Sequence, residues 1–511
     1  MRIGTEVIKG WMKSIALGGA GMCLGGLVLS GNTLTLEDAI TEAMVRNLDL
    51  RIQEADHRIA GDSVDVARAT FDPTLFGEAS WAEQEQDRDL YRSSSETGRA
   101  GLGATRQLSS GASLTLRTDY VRSGGSRYDS SLNQIIGADD LNHNSAITAS
   151  IRQPLLKGSG SRVNLAGIRK AGKRLEIAGL DFRQQVLSVI RDTEKAYWQL
   201  AHARARMNRR ESAIRLAETL LEETLTREEV GRATRLDVLQ ARANVASQQE
   251  ILLDAGRQVE EAEDALAVQL GRLEAGVARR DYSVESLRPV GADIPDLGSV
   301  WAGALARSLE LSVQRANLEV LEEDRLLAKD EMRTNLDLVA SASTTGLSQE
   351  GARTAYESAL EKEGHDWQVG LEVSVPIGKR AAKAGLRQAE SVIEREEFRL
   401  ARMEQDLFRR VRDTHRVLTV GLQKLDAARL TLELETEAFE QQQQRVDNGL
   451  ASFRDLQESQ LAVDRAAIAE LDAWLAVLFA EVELAELDGR LLDRHRIDIE
   501  TRTGVADAGV E

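Results

Sequence analysis

Apolar and polar positions along this chain follow two periods, and the chain switches between them twice. Leu36, Ala39, Ile40 and Ala43 recur at helical spacing behind a cap-like Thr35-Leu36-Glu37-Asp38, predicting a helix over 35–46 and a second over 48–69. Pro73 ends that pattern. From 74 to 153 the composition turns to Gly, Ser and Thr with period-two alternation, as in Ala146-Ile147-Thr148-Ala149-Ser150-Ile151. Strands are expected at 75–83, 99–108, 112–121 and 145–153, with a hairpin turn at Ser109-Ser110-Gly111. Later in the chain only 336–344 and 367–375 read this way. Each segment is ~9 residues long, the length of a tilted strand that crosses a bilayer. Phe71, Phe76, Trp81, Tyr91, Tyr120, Tyr356 and Trp367 fall in or beside these segments. A girdle at a membrane interface would put them there; a small soluble sheet with an aromatic core would gather them equally well.

Behind each strand region lies a long stretch without proline that keeps a three-four alternation. In the first, Leu165, Ile168, Gly172, Leu175, Gly179, Phe182, Val186, Val189, Thr193, Ala196, Leu200, Ala203 and Met207 form a seam that breaks at Arg210 and resumes at Ile214, Ala217 and Leu221. A repeat of 3.5 residues predicts a supercoiled helix with a narrow buried seam. Spanning 154–230 and 376–448, the two long helices would each reach ~100 Å at 1.5 Å per residue. The return helix at 236–270 is roughly half as long. The expected packing therefore stacks 236–270 and 48–69 end to end beside the long helix.

Landmarks come in the same order in both halves. Asn47-Leu48-Asp49-Leu50 returns as Ser308-Leu309-Glu310-Leu311, Gln153-Pro154 as Val375-Pro376, and Arg191-Asp192-Thr193 as Arg412-Asp413-Thr414. Arg227, Gly231, Ala233 and Asp237 return as Arg445, Gly449, Ala451 and Asp455. This is a duplicated architecture rather than one echoed helix. The expected organisation is a first repeat at 32–298, with an enlarged strand region at 74–153, a coiled-coil hairpin at 154–275 and a linker at 276–298. A second repeat at 299–495 holds a strand region at 336–376 and a hairpin at 377–495, before a tail at 496–511.

Composition narrows the picture further. Five prolines, 4% aromatic and 29% charged residues suit long solvated helices better than several compact cores. A net charge of -18 without a basic stripe argues against nucleic acid as a partner. Residues 1–31 read as an export signal, with Arg2, Lys9 and Lys13 ahead of an apolar run at 15–29 that falls short of the ~20 residues of a spanning helix. Cys23, the single cysteine, follows Met22 where lipoprotein processing needs a small residue, so lipidation is not expected. The six histidines, at 57, 143, 202, 365, 415 and 495, include no i, i+4 pair and give a metal no framework. Glycine-rich strings lack the strand-to-helix context of a phosphate loop, and carboxylate pairs on helices this charged read as solvated faces. No catalytic residue, cofactor or metal site is assigned.

The segments LTLEDAITEAMVRNLDL, FDPTLFGEASW, QPLLKGSGSRVNLAG, REEVGRATRLDVLQARANV and RVDNGLASFRDLQESQLAV, in this order, resemble the outer-membrane factor family, the TolC-like efflux channels. The resemblance implies a mainly α chain with a β-barrel portion and two internal structural repeats. Three copies would share one transmembrane β-barrel, and their long antiparallel coiled coils would form a periplasmic α-barrel. It further implies an outer-membrane location with a periplasmic helical tunnel, and a passive exit duct of a tripartite efflux or type I secretion system. Its partners would be a periplasmic adaptor, an inner-membrane transporter reached through the adaptor, and outer-membrane lipid. Oligomerisation also follows from the strands alone, because a few strands cannot close a barrel and an open lipid-exposed edge is forbidden. The extra strand pair departs from the family pattern; the expected solution keeps the 99–121 hairpin out of the wall, leaving twelve strands in the shared barrel. The alternative from a different class is a periplasmic coiled-coil scaffold or adhesin without a pore.

In this family the helical turns close the periplasmic entrance. The family's glycine with an acid six residues later is met by Gly231 with Asp237 and by Gly449 with Asp455, and Glu458 matches a second acidic position. The resemblance thus implies a periplasmic constriction at Asp455, Glu458 and Asp237, with stacked carboxylates that attract cations. Gly231, Gly449, Arg235 and Arg454 would form the turn tips and adaptor contact, and Pro154 and Pro376 the strand-to-helix junctions. The family's locking arginine and tyrosine are absent from the matching places, which hold Ala451 and Val446.

Overall fold

The structure, a computed structural model, describes residues 34–88, 91–129, 134–136, 141–272, 282–285, 294–362 and 364–497. The expected export signal, with Cys23, lies outside the described residues, as do much of the expected linker and nearly all of the tail. Thr35 caps α1 (Leu36–Arg46) by accepting the Asp38 N–H. Asn47 caps α2 (Leu48–Arg68) by accepting from Asp49 and Leu50 at 2.9 and 3.3 Å. A short 3-10 turn then leads through Pro73 into β1 (Thr74–Arg88), β2 (Tyr91–Gln107), β3 (Ser113–Asp129), β4 (Gln134–Ile136) and β5 (Asn142–Pro154).

These strands are much longer than the expected nine residues: β1 has 15, and β2 and β3 have 17 each. Their outer halves carry Glu83, Glu85, Ser93, Ser94 and Ser123 to Ser126, a composition that reads as loop. Cross-strand pairing beyond the bilayer length overrides that propensity.

After β5 come α3 (Ser161–Asn164), α4 (Ala166–Glu229), α5 (Arg235–Gln269), α6 (Leu297–Arg307) and α7 (Leu309–Asp330). Then follow β6 (Asn335–Ser348), α8 (Ala352–Leu360), β7 (Gly364–Ser374), α9 (Arg380–Asp447), α10 (Phe453–Leu487) and α11 (Leu491–His495). Helix α8 had no counterpart in the sequence reading. The long helices run 64 and 68 residues, close to the expected reach. All strands join one antiparallel sheet in the order β1-β2-β3-β5-β6-β7, with β4 also on β3. The expectation that the 99–121 hairpin stands apart is overturned: β2 and β3 are paired from Tyr91↔Asp129 to Gln107↔Ser113, and they sit between β1 and β5.

The helices form a layer four wide at two levels. Nearer the sheet the side-by-side order is α2-α4-α7-α9; farther away it is α5-α4-α10-α9. The end-to-end stack is present. Asn47 Nδ2 donates to the Gln269 carbonyl at 3.0 Å, joining α5 to the start of α2. Gly271, in the left-handed region at φ 63, lies so close to Arg46 that a Cβ would meet its carbonyl oxygen at 2.6 Å. The second repeat uses the same device, with Gly489 at φ 75 against Arg307.

The main core gathers at these joints. Val186, Ile190, Tyr197 and Leu200 of α4 pack with Ala39 and Ile40 of α1, Leu266 of α5, Val300 of α6, Leu311 of α7, Val411 of α9 and Val477 of α10. The predicted seam residues Val186, Val189, Thr193, Leu200 and Ala203 are buried, but so are Leu187, Ile190, Tyr197, Trp198 and Ala201. A narrow seam is therefore wrong for the middle of α4, where joints on more than one side enclose the helix. Beyond Arg210 the buried line is Ala213, Ala217, Leu220 and Thr224, mostly offset from the predicted Ile214 and Leu221.

Tyr197 fastens this region. Its hydroxyl donates to the Leu34 carbonyl at 2.8 Å and accepts the Glu285 N–H at 3.0 Å, and Leu34 bridges Val284 in parallel. Glu194, fully buried one turn away, takes His495 at 3.0 Å and Arg494 at 3.6 Å, holding α11 against α4. Tyr197→Phe removes partners from two backbone groups while keeping the ring. It is expected to cost about 2 kcal/mol in thermal or denaturant unfolding, with hydrogen-exchange protection lost first at Leu34 and Glu285.

Candidate functional site

Register decides what each face of the sheet presents, because alternate residues point to opposite sides. Following the pairs across all six strands, one face carries Leu75, Ala79 and Trp81 of β1; Ala100, Leu102 and Ala104 of β2; and Leu114 and Leu116 of β3. It continues with Ile147, Ala149 and Ile151 of β5; Leu336, Leu338, Ala340 and Ala342 of β6; and Trp367, Val369, Leu371 and Val373 of β7. Most large side chains of this face are exposed, Leu75 at 81% and Trp367 at 74%, while Ile147, Leu336 and Leu338 are half-buried. An apolar band of this extent is costly in water and matches the hydrocarbon of a bilayer. Among the described residues no helix is long and apolar enough to cross a membrane.

The opposite face is polar and cross-linked. Arg117 reaches Asp119 on its own strand at 2.6 Å and Glu78 on β1. Arg152 of β5 binds Asp337 of β6 and Glu372 of β7, each at 2.8 Å. Charged pairs on this side and hydrocarbon on the other give the alternation of a wall between lipid and water.

Above the apolar band, at the strand ends far from the helices, α8 lies on the same face. Ser145 Oγ donates to the Ala355 carbonyl at 2.7 Å, and Gly346 fits beneath the helix, where a Cβ would meet that oxygen at 2.0 Å. Tyr120 stacks with His143 and Tyr356 at centroid distances of 6.0 and 6.5 Å. Such a polar and aromatic rim suits the interface above a hydrocarbon layer.

At the other end of the molecule the two long helices reverse by the same turn. Gly231 and Gly449 both take φ 73, and Arg232 and Leu450 donate back to the Arg227 and Arg445 carbonyls at 2.7 and 2.8 Å. Thr234 and Ser452 then cap α5 and α10 in a reciprocal box. The Asp237 N–H donates to Thr234 Oγ1, and the Thr234 N–H and hydroxyl donate to Asp237 Oδ2; Asp455 and Ser452 repeat this. These bonds hold the Asp237 and Asp455 carboxyls below the usual carboxylate range, the hydroxyl bond contributing most. The six-residue spacing from glycine to acid thus has a local cause: it is the distance from a left-handed helix stop to the third residue of the next helix.

The structure places Arg235 as the first residue of α5, 3.8 Å from Glu228, and Arg454 beside Glu458 at 3.2 Å, all near the turns. Leu220, Val446 and Leu456 pack together near the turns and join the two hairpins. Pro154 ends β5 opposite Asp337, and Pro376 lies between β7 and α9, so both stand at strand-to-helix junctions. The capping role of the two aspartates was missed, although Thr/Ser-x-x-Asp after a helix stop is a readable signal. The cross-strand charges Glu78, Arg117, Arg152, Asp337 and Glu372 were also missed, since their pairing needs the register.

Both outer members of the helical layer carry exposed apolar side chains. On α2 these are Leu48, Ile52, Ile59 and Val66, and α5 below it shows Leu236, Leu239 and Leu253. On α9, at the far edge, they include Phe398, Val417, Leu430 and Leu434. Each stripe is the side a neighbour would cover.

The sequence profile described as "Outer membrane efflux protein" matches residues 120–272 and 302–490. A search of curated proteins gave no match. Among solved structures, the outer-membrane channel OprN superposes with a TM-score of 0.67 at 16% identity, covering 89% of both chains. The CmeC outer membrane channel of Campylobacter jejuni gives 0.66 at 14% identity, covering 95% of this chain and 98% of that one. The outer membrane protein VceC of Vibrio cholerae gives 0.64 at 16% identity, covering 89% and 96%. At these identities the superpositions speak for the fold, and the profile, matched over well over half of the sequence, places the chain itself: it belongs to the outer membrane efflux protein family.

Proposed function

We propose that this protein is a passive exit duct of a tripartite efflux or type I secretion system, working as a homotrimer across the outer membrane and the periplasm. The observation that carries this reading is one sheet, apolar along one face and charged along the other, joined directly to a helical layer whose long members span 64 and 68 residues. Outer-membrane lipid covers the apolar face, and the charged face lines the water path. A pore-less scaffold would leave that apolar face without a role. The open helical edges, α2 with α5 on one side and α9 on the other, meet between copies and close the tunnel. The turn tips at Gly231 and Gly449, with Arg235 and Arg454, dock a periplasmic adaptor, which links the duct to an energised inner-membrane transporter. No bond is made or broken in the duct.

The entrance reading concerns Asp455, Glu458 and Asp237. Glu458 carries the ring charge at the constriction, and Arg454 beside it supplies a partner that can be exchanged between copies. Asp237 and Asp455 act first as caps that fix the shape of the turn, so their charge is held rigidly near the entrance.

In planar bilayers the purified protein is expected to give discrete, cation-preferring conductance; a silent bilayer from correctly assembled protein contradicts the duct. Glu458→Ala should raise closed-state conductance, on the order of twofold, and weaken cation preference without lowering the melting temperature. Ser452→Ala should instead loosen the turn at a cost of ~1 kcal/mol. Acid acts through the same caps. Because the folded Asp237 and Asp455 carboxyls sit below their ordinary value, their stabilisation is complete above the usual carboxylate pKa of ~4 and disappears as pH falls through the lowered values. Hydrogen exchange of residues 226–240 and 444–458 should therefore stay slow at pH ~4 and quicken only below it.

A further inference from the structure

We propose that the barrel wall is closed by β1 of one copy pairing antiparallel with β7 of the next, so that three copies of six strands make a wall of eighteen strands. The inference rests on the assembly reading above and fixes which edges meet. In the sheet order β1-β2-β3-β5-β6-β7, the outer edges of β1 and β7 are, among the described residues, the ones this path leaves to pair with another chain along their length. Because β5 pairs with β3 and not with β1, a twelve-stranded wall of four adjacent strands per copy that keeps β5, β6 and β7 would have β3 as its outer strand. Yet β2 occupies the whole of that edge, from Tyr91↔Asp129 to Gln107↔Ser113, and β1 in turn covers β2 from Thr74↔Thr105 outward.

The chemistry of the faces agrees. The apolar band does not stop at β3 but continues through Leu102 and Ala104 into Leu75 and Ala79, and the polar face likewise reaches Glu78 on β1, bound by Arg117 of β3. A hairpin folded away from the bilayer would have no use for a lipid face in register with its neighbours. Strand direction also fits: six antiparallel strands per copy leave β7 running opposite to the next β1, so closure needs no parallel pair. An unpaired edge in hydrocarbon is excluded, and the second copy of this chain is the partner that offers the complementary edge. Barrel diameter grows roughly linearly with strand number, so the wall is about 1.5 times as wide as a twelve-stranded one.

The test is crosslinking of full-length protein in native outer membranes, in a Cys23→Ser background. Ser80→Cys or Ala82→Cys on β1 is combined with Gln368→Cys or Gly370→Cys on β7, all on the polar face. Control pairs combine the same β7 positions with Thr115→Cys or Ser123→Cys on β3. Each single variant is first checked for an intact oligomer on native gels. A short thiol-reactive crosslinker should convert the β1 with β7 variants into covalent trimers and leave the β3 with β7 variants as monomers. Crosslinks from β3 to β7 with none from β1 overturn the proposal in favour of a twelve-stranded wall. Intact oligomers that crosslink through neither pair overturn it as well. Wild-type protein that stays monomeric in the membrane overturns the assembly reading beneath it.

Discussion

A bilayer offers no partner to a backbone N–H or C=O, and each one left unpaired in hydrocarbon costs several kcal/mol. For this chain that constraint falls on two strands, β1 and β7, whose outer edges have no strand partner among the described residues, while β2, β3, β5 and β6 are paired on both sides. The assembly proposed above meets this constraint by making the sheet part of a closed wall built from several copies. Much of the rest of the structure follows. The apolar band must be continuous around the wall, which the register achieves on all six strands, and the charges must lie on the other side, where Arg117 of β3 reaches over β2 to Glu78 of β1 and Arg152 ties β5 to β6 and β7.

The helical layer answers a similar demand in water. A layer one helix thick has two open margins, and this chain leaves apolar side chains on both, at Leu48, Ile52, Ile59 and Val66 on one and at Phe398, Leu430 and Leu434 on the other. Helices of 64 and 68 residues cannot each be matched by a single return helix of 35, so every long helix is flanked by two shorter ones placed end to end. The joints would be weak points in a plain rod. Here they become the main core, where Gly271 and Gly489 let backbones approach and Tyr197 and Glu194 tie the chain ends to α4.

Much of this was legible in the sequence, and the failures have physical causes. The long helices, their turns, the stacked short helices and the duplication follow from period, proline placement and repeated landmarks. Strand length did not, because the outer halves of β1 to β3 are polar on both faces and lack the alternation that marks the bilayer segment. The place of the 99–121 hairpin was misjudged for a related reason: its lipid face is made of Ala100, Leu102, Ala104, Leu114 and Leu116, too sparse in bulk to stand out without its neighbours. Helix α8 is nine residues long and held by contacts with Ser145 and Gly346, which no local pattern announces. At the turns, the glycine-to-acid spacing of the family resemblance drew attention to Asp237 and Asp455 before their capping geometry did.

A membrane wall requires the apolar face of the sheet to meet lipid and the charged face to meet water. Single cysteines placed at Leu114, Leu116, Val369 and Leu371 on one face, and at Thr115, Arg117, Gln368 and Gly370 on the other, would carry a fluorophore in protein reconstituted into bilayers. Quenching by brominated lipid at the first set and by a water-soluble quencher at the second is the predicted result. Water-soluble quenching of both sets, with no effect of brominated lipid, would contradict a membrane wall.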